Sequence, residues 1–199
     1  SMVVGFFSVD PKRGQWISIE PTAGGWGGRA DSDGESALIN LVNGGFRNIP
    51  AEVMETKFPV RLEEFSIRPD SAGPGKHRGG CGVVRRYKML EDCYGAIWFE
   101  RSQTPAWGLN GGGEGKGPEV TLSFPDGTVE DPLKMRARQL PAGTVVETDR
   151  NGDVGIIRIN NVLGNNDLIP AFDQAVAGLS DTLGMIIDLR NAPGGGNTE

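Results

Sequence analysis

Glycine constrains the fold of this chain more than any other residue type does. It accounts for 31 of the 199 residues, about twice the roughly 7% that is usual in proteins. The glycines follow no fixed period, and they separate short apolar segments, so neither a collagen-like nor a disordered chain is indicated. The pattern predicts short β-strands joined by many turns and loops.

Short segments rich in Val, Ile, Tyr, Phe and Trp predict strands from residue 5 to about residue 151. They alternate with clusters of Pro, Asp, Ser and Gly, which favour turns. The predicted strands are 15–20, 60–68, 83–90, 95–99, 120–124 and 144–148. The turn at 125–127 predicts a hairpin to a further strand near Val129. Only residues 50–57, with Pro at the start, an acidic first turn and a basic end, look helical.

The composition changes abruptly after Gly152. Residues 153–199 contain no Lys, Trp, Tyr, Cys or His. Residues 154–160 predict a strand, a helix begins at Asn166 or Asp167 and ends near Leu179, and the apolar run 185–189 predicts a strand buried on both faces. This order predicts a βαβ unit with a parallel strand pair. The expected fold class is α+β, with a mainly-β portion over residues 1–151 and a short βαβ unit over 152–199.

Charge and composition argue against several function classes. The net charge of −6 and the pI near 4.9 make a nucleic-acid or anionic-membrane surface unexpected. No apolar run reaches the roughly 18–20 residues of a membrane helix. Two cysteines fit a reducing compartment, so we expect a cytoplasmic protein. With His77 as the single histidine, most metal sites and His-based triads are not expected.

Two glycine-rich segments match nucleotide-binding motifs only in part. Residues 25–30 fit G-x-G-x-x-A, but a turn and not a helix is expected to follow, so the segment is interpreted as a turn. Residues 111–117 resemble a phosphate loop, but no Ser or Thr follows Lys116. We expect a mobile loop there, with an anion held by successive backbone N–H groups as the alternative.

The remaining candidate side chains have structural interpretations. His77 is expected in an exposed turn and not as a base or ligand, and the acidic neighbours of Cys93 disfavour a thiolate. The tryptophans expected in the core or in contacts are Trp26, Trp98 and Trp107. A local basic patch, interpreted as a solvated face, consists of Lys76, Arg78, Arg85 and Arg86.

A series of motifs occurs in a fixed order over about 130 residues of the first portion. They are 24–29 (GGWGGR), 48–53 (NIPAEV), 58–61 (FPVR), 67–75 (IRPDSAGPG), 78–85 (RGGCGVVR), 100–101 (ER), 105–112 (PAWGLNGG) and 140–146 (LPAGTVV). In this order and spacing the first portion resembles the C-terminal part of the hydantoinase B/oxoprolinase family.

This resemblance implies a place in the large subunit of an ATP-dependent cyclic-amide hydrolase (hydantoinase or 5-oxoprolinase) or of an acetone-type carboxylase. Such a subunit works with a nucleotide-binding A-type subunit, so ATP and a divalent metal would belong to the parent complex. The family's Asp- and His-rich metal-binding segments lie in its N-terminal portion, which is not part of this sequence. We therefore expect no cofactor-binding and no metal-binding residues in this chain.

The tail carries motifs of a second kind, at 155–160 (GIIRIN), 168–173 (LIPAFD) and 186–197 (IIDLRNAPGGGN). They resemble the first strand, the first helix and a glycine turn of the carboxyl-terminal-processing and tricorn-type serine peptidases. That resemblance implies an oxyanion-type loop at Gly194, Gly195 and Gly196, with the nucleophilic Ser and its base downstream of Glu199. The chain would then be a chimera, and we expect no catalytic residues in it.

The sequence therefore predicts a truncated, non-catalytic fragment of a hydrolase or carboxylase subunit with a peptidase-like tail. A peptidase-derived protein that lacks its nucleophile is one alternative. The other is a binding or assembly module that self-associates, since an isolated βαβ unit leaves strand edges unpaired. The substrate, the oligomeric state and the natural or engineered origin of the join are left open.

Overall fold

The computed structural model describes residues 2–12, 14–39 and 47–149, the backbone of two strands in the tail, and Gln174 and Ala177 between them. The chain divides into two compact units, Ser1–Arg150 and Asn151–Glu199, and each is described by itself. The described elements of the first unit are β1 (Met2–Ser8), β2 (Trp16–Thr22), α1 (Ala51–Lys57), β3 (Val60–Ile67), β4 (Val83–Met89), β5 (Cys93–Phe99), β6 (Val120–Ser123), β7 (Val129–Glu130), β8 (Met135–Leu140) and β9 (Val145–Thr148).

The strands of the first unit form two antiparallel sheets. The first sheet has the order β2-β1-β5-β8, and the second has the order β3-β4-β9-β6-β7. Their inward side chains share one core, in which the rings of Phe6 and Tyr87 lie edge to face with centroids 5.2 Å apart. Because successive strand residues point to opposite faces, each sheet contributes every second residue to this core.

The helix α1 lies beside β3. Pro50 precedes it, Glu52 lies in its first turn and Lys57 in its last, an arrangement that complements the helix dipole. Met54 is its buried residue, and the Glu55 carboxylate accepts a hydrogen bond from the backbone N–H of Leu62 at 2.9 Å. The predicted helix at 50–57 is confirmed.

The predicted mainly-β fold is confirmed, and each predicted strand of the first portion has its counterpart. The predicted hairpin joins β6 to β7, with Gly127 at φ 87° and its N–H donating to the Phe124 carbonyl at 3.0 Å. Two strands, β1 and β8, were not predicted. β1 has no polar residue before Ser8 at its end, and β8 has four exposed residues in succession, so neither shows the alternation that marks a half-buried strand.

The described strands of the tail are β10 (Val154–Arg158) and β11 (Gly184–Asp188). They pair in parallel, with Val154 opposite Gly184 and Arg158 opposite Asp188. Gln174 and Ala177, which lie within the predicted helix, are helical. The predicted parallel strand pair is therefore present. No helix within the described ranges is both long and apolar enough to span a bilayer.

Candidate functional site

Three glycine-rich loops of the first unit meet through their backbones, and we call them the loop cluster. They are residues 23–39 after β2, residues 68–82 between β3 and β4, and residues 100–119 between β5 and β6. Most of the motifs that carry the family resemblance fall in these loops. The loop cluster is therefore the candidate functional surface of the first unit.

The first two loops are joined by hydrogen bonds between backbone groups. The N–H of Gly80 donates to the carbonyl of Trp26, and the N–H of Gly34 donates to the carbonyl of Arg78, both at 2.8 Å. The N–H of Ala37 donates to the carbonyl of Cys81 at 3.0 Å. These bonds satisfy the backbone of loops that have no regular secondary structure.

Glycine is required where these backbones approach each other most closely. A Cβ on Gly25 would overlap the carbonyl oxygen of Gly80, and one on Gly80 would overlap the carbonyl oxygen of Glu35. A Cβ on Gly34 would overlap the carbonyl oxygen of Trp26. The glycines of these motifs therefore allow close packing of backbone on backbone.

The third loop is held in the same way. The N–H groups of Gly113 and Lys116 donate to the carbonyls of Pro74 and Ser71, at 2.7 and 2.9 Å. The N–H of Gly115 donates to the carbonyl of Ala106 at 2.9 Å. These three N–H groups already have protein partners, so the alternative of an anion cradle at 111–117 is wrong for them. The loop that was expected to be mobile is held by hydrogen bonds.

The segment 25–30 is confirmed as a turn and loop region. It follows β2, but no helix follows it within the described loop 23–39. A dinucleotide site needs that helix, because the pyrophosphate binds at its N-terminus.

One surface of the loop cluster carries a small group of ionisable side chains. Oδ1 of Asp33 accepts a hydrogen bond from the backbone N–H of Arg78 at 3.1 Å and lies 3.6 Å from Nδ1 of His77. Oδ2 of Asp33 lies 3.5 Å from Nε of Arg78. His77 lies in a bend, as predicted for a turn residue, but its side chain is only 25% exposed and therefore less exposed than predicted. Packing of its loop against the first loop covers it.

Arg68 ties the loop cluster to the end of β9. Its Nη1 donates to the carbonyl of Gly117 at 2.7 Å and lies 3.5 Å from Oδ1 of Asp149, and its Nη2 lies 3.1 Å from Oε2 of Glu119. Burial raises the pKa of Asp149 to about 6, and the hydrogen bond from the Glu119 N–H and the charge of Arg68 offset only part of that effect.

Arg85 lies between the two sheets, where its side chain is 2% exposed. Its Nη1 lies 3.1 Å from Oε2 of Glu20 and donates to the hydroxyl of Tyr87 at 3.0 Å, while its Nη2 donates to Oδ1 of Asn48 at 2.6 Å. The ring of Phe65 stacks on the guanidinium at 4.5 Å. Burial also raises the pKa of the Tyr87 phenol.

The predicted basic patch is therefore wrong. Arg85 and Arg86 are neighbours on a strand, so their side chains point to opposite faces of the second sheet. Arg86 pairs with Glu64 at 3.3 Å and with Glu147 at 3.1 Å. Three of the four predicted patch residues, Arg78, Arg85 and Arg86, are thus paired with carboxylates. Arg78 contributes to the Asp33 group described above.

Two of the three tryptophans are not in the core. Trp98 is 53% exposed and Trp107 is 61% exposed. Trp107 packs against Arg101, whose guanidinium carbon lies 4.8 Å from the ring centroid. Trp26 fits the prediction of a contact residue, because its indole N–H donates to the carbonyl of Ile39 at 2.9 Å.

The two cysteines are free, and neither forms a disulfide. Cys93 is buried, with its sulfur 3.3 Å from that of Met89. Burial and then the charge of Asp92 raise the pKa of its thiol to about 12. The expectation that Cys93 is no nucleophile is therefore supported by its surroundings.

The described residues form no group of three or more His, Cys, Asp or Glu side chains that could hold a metal ion. The buried charged residues of the described part form ion pairs that join parts of the fold; they are Glu20, Glu64, Arg68, Arg85 and Asp149. These pairs were not predicted, although charged residues within apolar strand segments, such as Arg85 after two valines, are a signal of them. The predicted oxyanion-type loop, Gly194, Gly195 and Gly196, lies outside the described residues.

Comparison with known proteins gives a family match for most of the chain. The family model of hydantoinase B/oxoprolinase matches residues 1–160. The match continues beyond residue 151 and takes in β10, the segment that the peptidase resemblance uses as its first strand. The chimera remains a prediction that these comparisons do not support.

Two curated relatives indicate what the first unit is similar to. One is the B-type subunit of a putative D-/L-hydantoinase of Pseudomonas sp. (strain NS671), which is 27% identical over 143 residues, 71% of this chain and 24% of that protein. The other is a 5-oxoprolinase of Dictyostelium discoideum, which is 38% identical over 93 residues, 47% of this chain and 7% of that protein.

Two solved structures have the same fold. An acetone carboxylase chain has a TM-score of 0.62 and 17% identity, over 74% of this chain and 24% of its own length. An ATP-dependent caprolactamase from Pseudomonas jessenii has a TM-score of 0.60 and 21% identity, over 73% of this chain and 27% of its own length. This chain therefore spans roughly a quarter or less of the length of each of the four proteins.

Proposed function

This chain belongs to the hydantoinase B/oxoprolinase family, and from that premise we propose that it forms a non-catalytic part of the large subunit of an ATP-dependent enzyme. The enzyme opens a cyclic amide, as in a hydantoinase or 5-oxoprolinase, or carboxylates a small ketone. The observation that carries this proposal is the family match over residues 1–160, together with the fold shared with the acetone carboxylase and caprolactamase chains.

The pairing of the buried charged side chains supports a non-catalytic role. Arg68, Arg85 and Arg86 each hold one or two carboxylates of other strands or loops. Guanidinium groups that are engaged in this way stabilise the fold and are not available to a substrate. The thiol of Cys93 is buried and protonated at neutral pH, because its pKa is about 12.

The proposal assigns ATP and a divalent metal to other parts of the parent complex. The partner is a nucleotide-binding A-type subunit, as the family resemblance implies. The loop cluster would then present side chains to the rest of that complex. Trp107 suits this role, since it is 61% exposed and tryptophan is enriched among interface anchors. Leu109, close to it in the same loop, is 77% exposed. Two free cysteines support a cytoplasmic location.

Two assays test the proposal. The purified chain is incubated with Mg²⁺-ATP and hydantoin, 5-oxoproline, or acetone with bicarbonate, and product and ADP are measured. We expect neither above the level of buffer. ATP-dependent product from the chain alone would overturn the non-catalytic role.

The second assay uses a hybrid subunit, in which residues 2–149 replace the matched region of the Pseudomonas B-type hydantoinase subunit. With the partner subunit of that enzyme, we expect ATP-dependent hydantoin hydrolysis to be retained. A matched hybrid with Gly80→Ala, which disturbs the backbone of the loop cluster, should lose most of it. A hybrid that assembles with the partner but has no activity would contradict the family role.

A further inference from the structure

The edge strand β2 has its polar and apolar faces reversed relative to an ordinary sandwich strand. Ser18, Glu20 and Thr22 point inward and are buried, whereas Ile17 and Ile19 point outward and are 59% and 52% exposed. Glu20 must face inward to meet Arg85, so the isoleucines cannot be turned into the core. A strand of this kind exposes its most apolar side chains, unless another structure covers the outer face of the sheet.

The same outer face continues over the next two strands of the sheet, β1 and β5. The rings of Phe7 and Tyr94 stack there, with centroids 5.6 Å apart and planes 19° from parallel. Val3 lies between Pro21 and Trp98 in the register of the three strands, and Trp98 is 53% exposed. None of the outward positions on β2, β1 and β5 is charged. We call this surface the apolar face.

The size of the apolar face helps to decide between occupants. Three strands at about 4.8 Å spacing and six residues at about 3.4 Å per residue cover roughly 300 Å². A stable complex between separate proteins buries about 800 Å² on each partner. The apolar face alone is therefore too small for a dimer of this chain. A contact between parts of one polypeptide needs less area, because a covalent connection supplies a high effective concentration.

The length of the relatives indicates where such a contact would come from. The matched region is 24% of the Pseudomonas hydantoinase subunit and 24% and 27% of the two solved chains, so a family-length subunit has about three quarters of its residues outside this region. We propose that the apolar face is the docking surface for that remaining part of the large subunit. The occupant is an apolar, uncharged surface of the same polypeptide, and Ile17, Ile19 and Trp98 are its main contacts.

This inference rests on the family membership, but it does not depend on the activity under the proposed function. The test measures, by peptide mass spectrometry, the accessibility of one introduced cysteine, in a background in which Cys81→Ser leaves the buried Cys93 as the other cysteine of residues 2–149. Ile19→Cys places a thiol on the apolar face. Val129→Cys places one at a position of similar exposure, 60%, on β7 of the second sheet. Each variant is labelled with a maleimide, both in this chain and in the full-length hybrid subunit.

We expect the thiol at position 19 to react at least tenfold more slowly in the hybrid than in this chain, and the thiol at position 129 to react equally fast in both. Protection of both positions alike, or of neither, would overturn the assignment. This readout needs no catalytic activity, so an inactive but folded hybrid would contradict the proposed function and leave the docking surface supported.

Sedimentation velocity of the unaltered chain tests the competing occupant directly. We expect a monomer up to about 0.1 mM. A dimer that Ile19→Lys dissociates and Val129→Lys leaves intact would show that a second copy covers the apolar face, and it would overturn the proposal even if the hybrid could not be purified.

Discussion

Nη1 of Arg85 lies 3.1 Å from Oε2 of Glu20, and this pair joins the second sheet to the first through the interior of the sandwich. Both side chains are almost fully buried, at 2% and 7% exposure. Tyr87, Asn48 and Phe65 complete the surroundings of the guanidinium. The pair thus sets which face of β2 points inward, and with it the exposure of the isoleucines.

Removal of one partner of this pair should destabilise the fold strongly. Glu20→Leu leaves the Arg85 charge buried without its counterion, and we expect a loss of about 3–5 kcal/mol in the free energy of unfolding. The double variant Glu20→Leu, Arg85→Met should recover much of that loss, because no buried charge remains. Urea denaturation gives the free energy of unfolding of the unaltered protein and of both variants.

The matched control is Glu100→Gln, since Glu100 lies 4.0 Å from Lys134 in an exposed pair. We expect a change within about 1 kcal/mol. If Glu20→Leu were as mild as this control, the buried pair would not be a determinant of stability.

Two glycines of the first loop should respond differently to the same substitution. Gly25→Ala places a Cβ against the carbonyl of Gly80, so backbone must move, and we expect a loss of at least about 2 kcal/mol. Gly27→Ala meets nothing within 4 Å, and its effect should stay within about 0.5 kcal/mol. Thermal unfolding distinguishes the two variants, and equal losses would refute the close packing of the loops.

The buried carboxyl of Asp149 should make stability depend on pH. Its pKa is raised from 3.8 to about 6, mainly by burial. Between these values the folded protein binds more protons than the unfolded chain, so this group stabilises the fold below about pH 4 and that contribution is lost as the pH rises through 6. The difference between the two pKa values corresponds to about 3 kcal/mol in the free energy of unfolding over the whole titration.

Asp149→Asn removes the titration and keeps an acceptor for the Glu119 N–H. Relative to this variant, the unaltered protein should lose about 2 kcal/mol between pH 4 and pH 7.5 in urea denaturation. Parallel stability profiles for the two proteins would mean that Asp149 ionises as an ordinary aspartate.

The two thiols should differ in reactivity in the folded protein. With a pKa of about 12, Cys93 is a thiolate in only about one molecule in 10⁴ at pH 8, and its sulfur is buried. Iodoacetamide should therefore modify Cys81 first and Cys93 only after unfolding. Mass spectrometry should find one adduct without denaturant and two with it. Cys81→Ser should show none in the folded state, and a rapid adduct on that variant would disprove the burial of Cys93.

The sequence predicts the strands of this fold better than it predicts their orientation. The alternation in residues 15–20 correctly indicates a strand, but alternation alone does not tell which face is inside. In β2 the polar face is inside, because Glu20 pairs with Arg85, which lies 65 positions away in the sequence. β1 was not predicted for a related reason. It lies between β2 and β5, and its outward residues belong to the apolar face while most of its inward residues belong to the core, so apolar and polar residues do not alternate along it.

The candidate site could be predicted only as a set of motifs. The glycine motifs indicate loops, but the contacts between the loops join residues far apart in the sequence, such as Gly34 with Arg78 and Trp26 with Gly80. The prediction of a basic patch failed because Arg85 and Arg86 are adjacent in sequence and separated by a sheet in space. Local composition carries no information on such long-range pairing.

The backbone contacts of the loop cluster have a consequence for engineering. Each loop is shaped by the main chain of another, so the loops are not interchangeable parts. Transplanting one of them into another scaffold would remove the surface against which its glycines fit. A designer who wishes to vary this surface should exchange all three loops together, or restrict changes to side chains such as Trp107 and Leu109, which project away from the contacts.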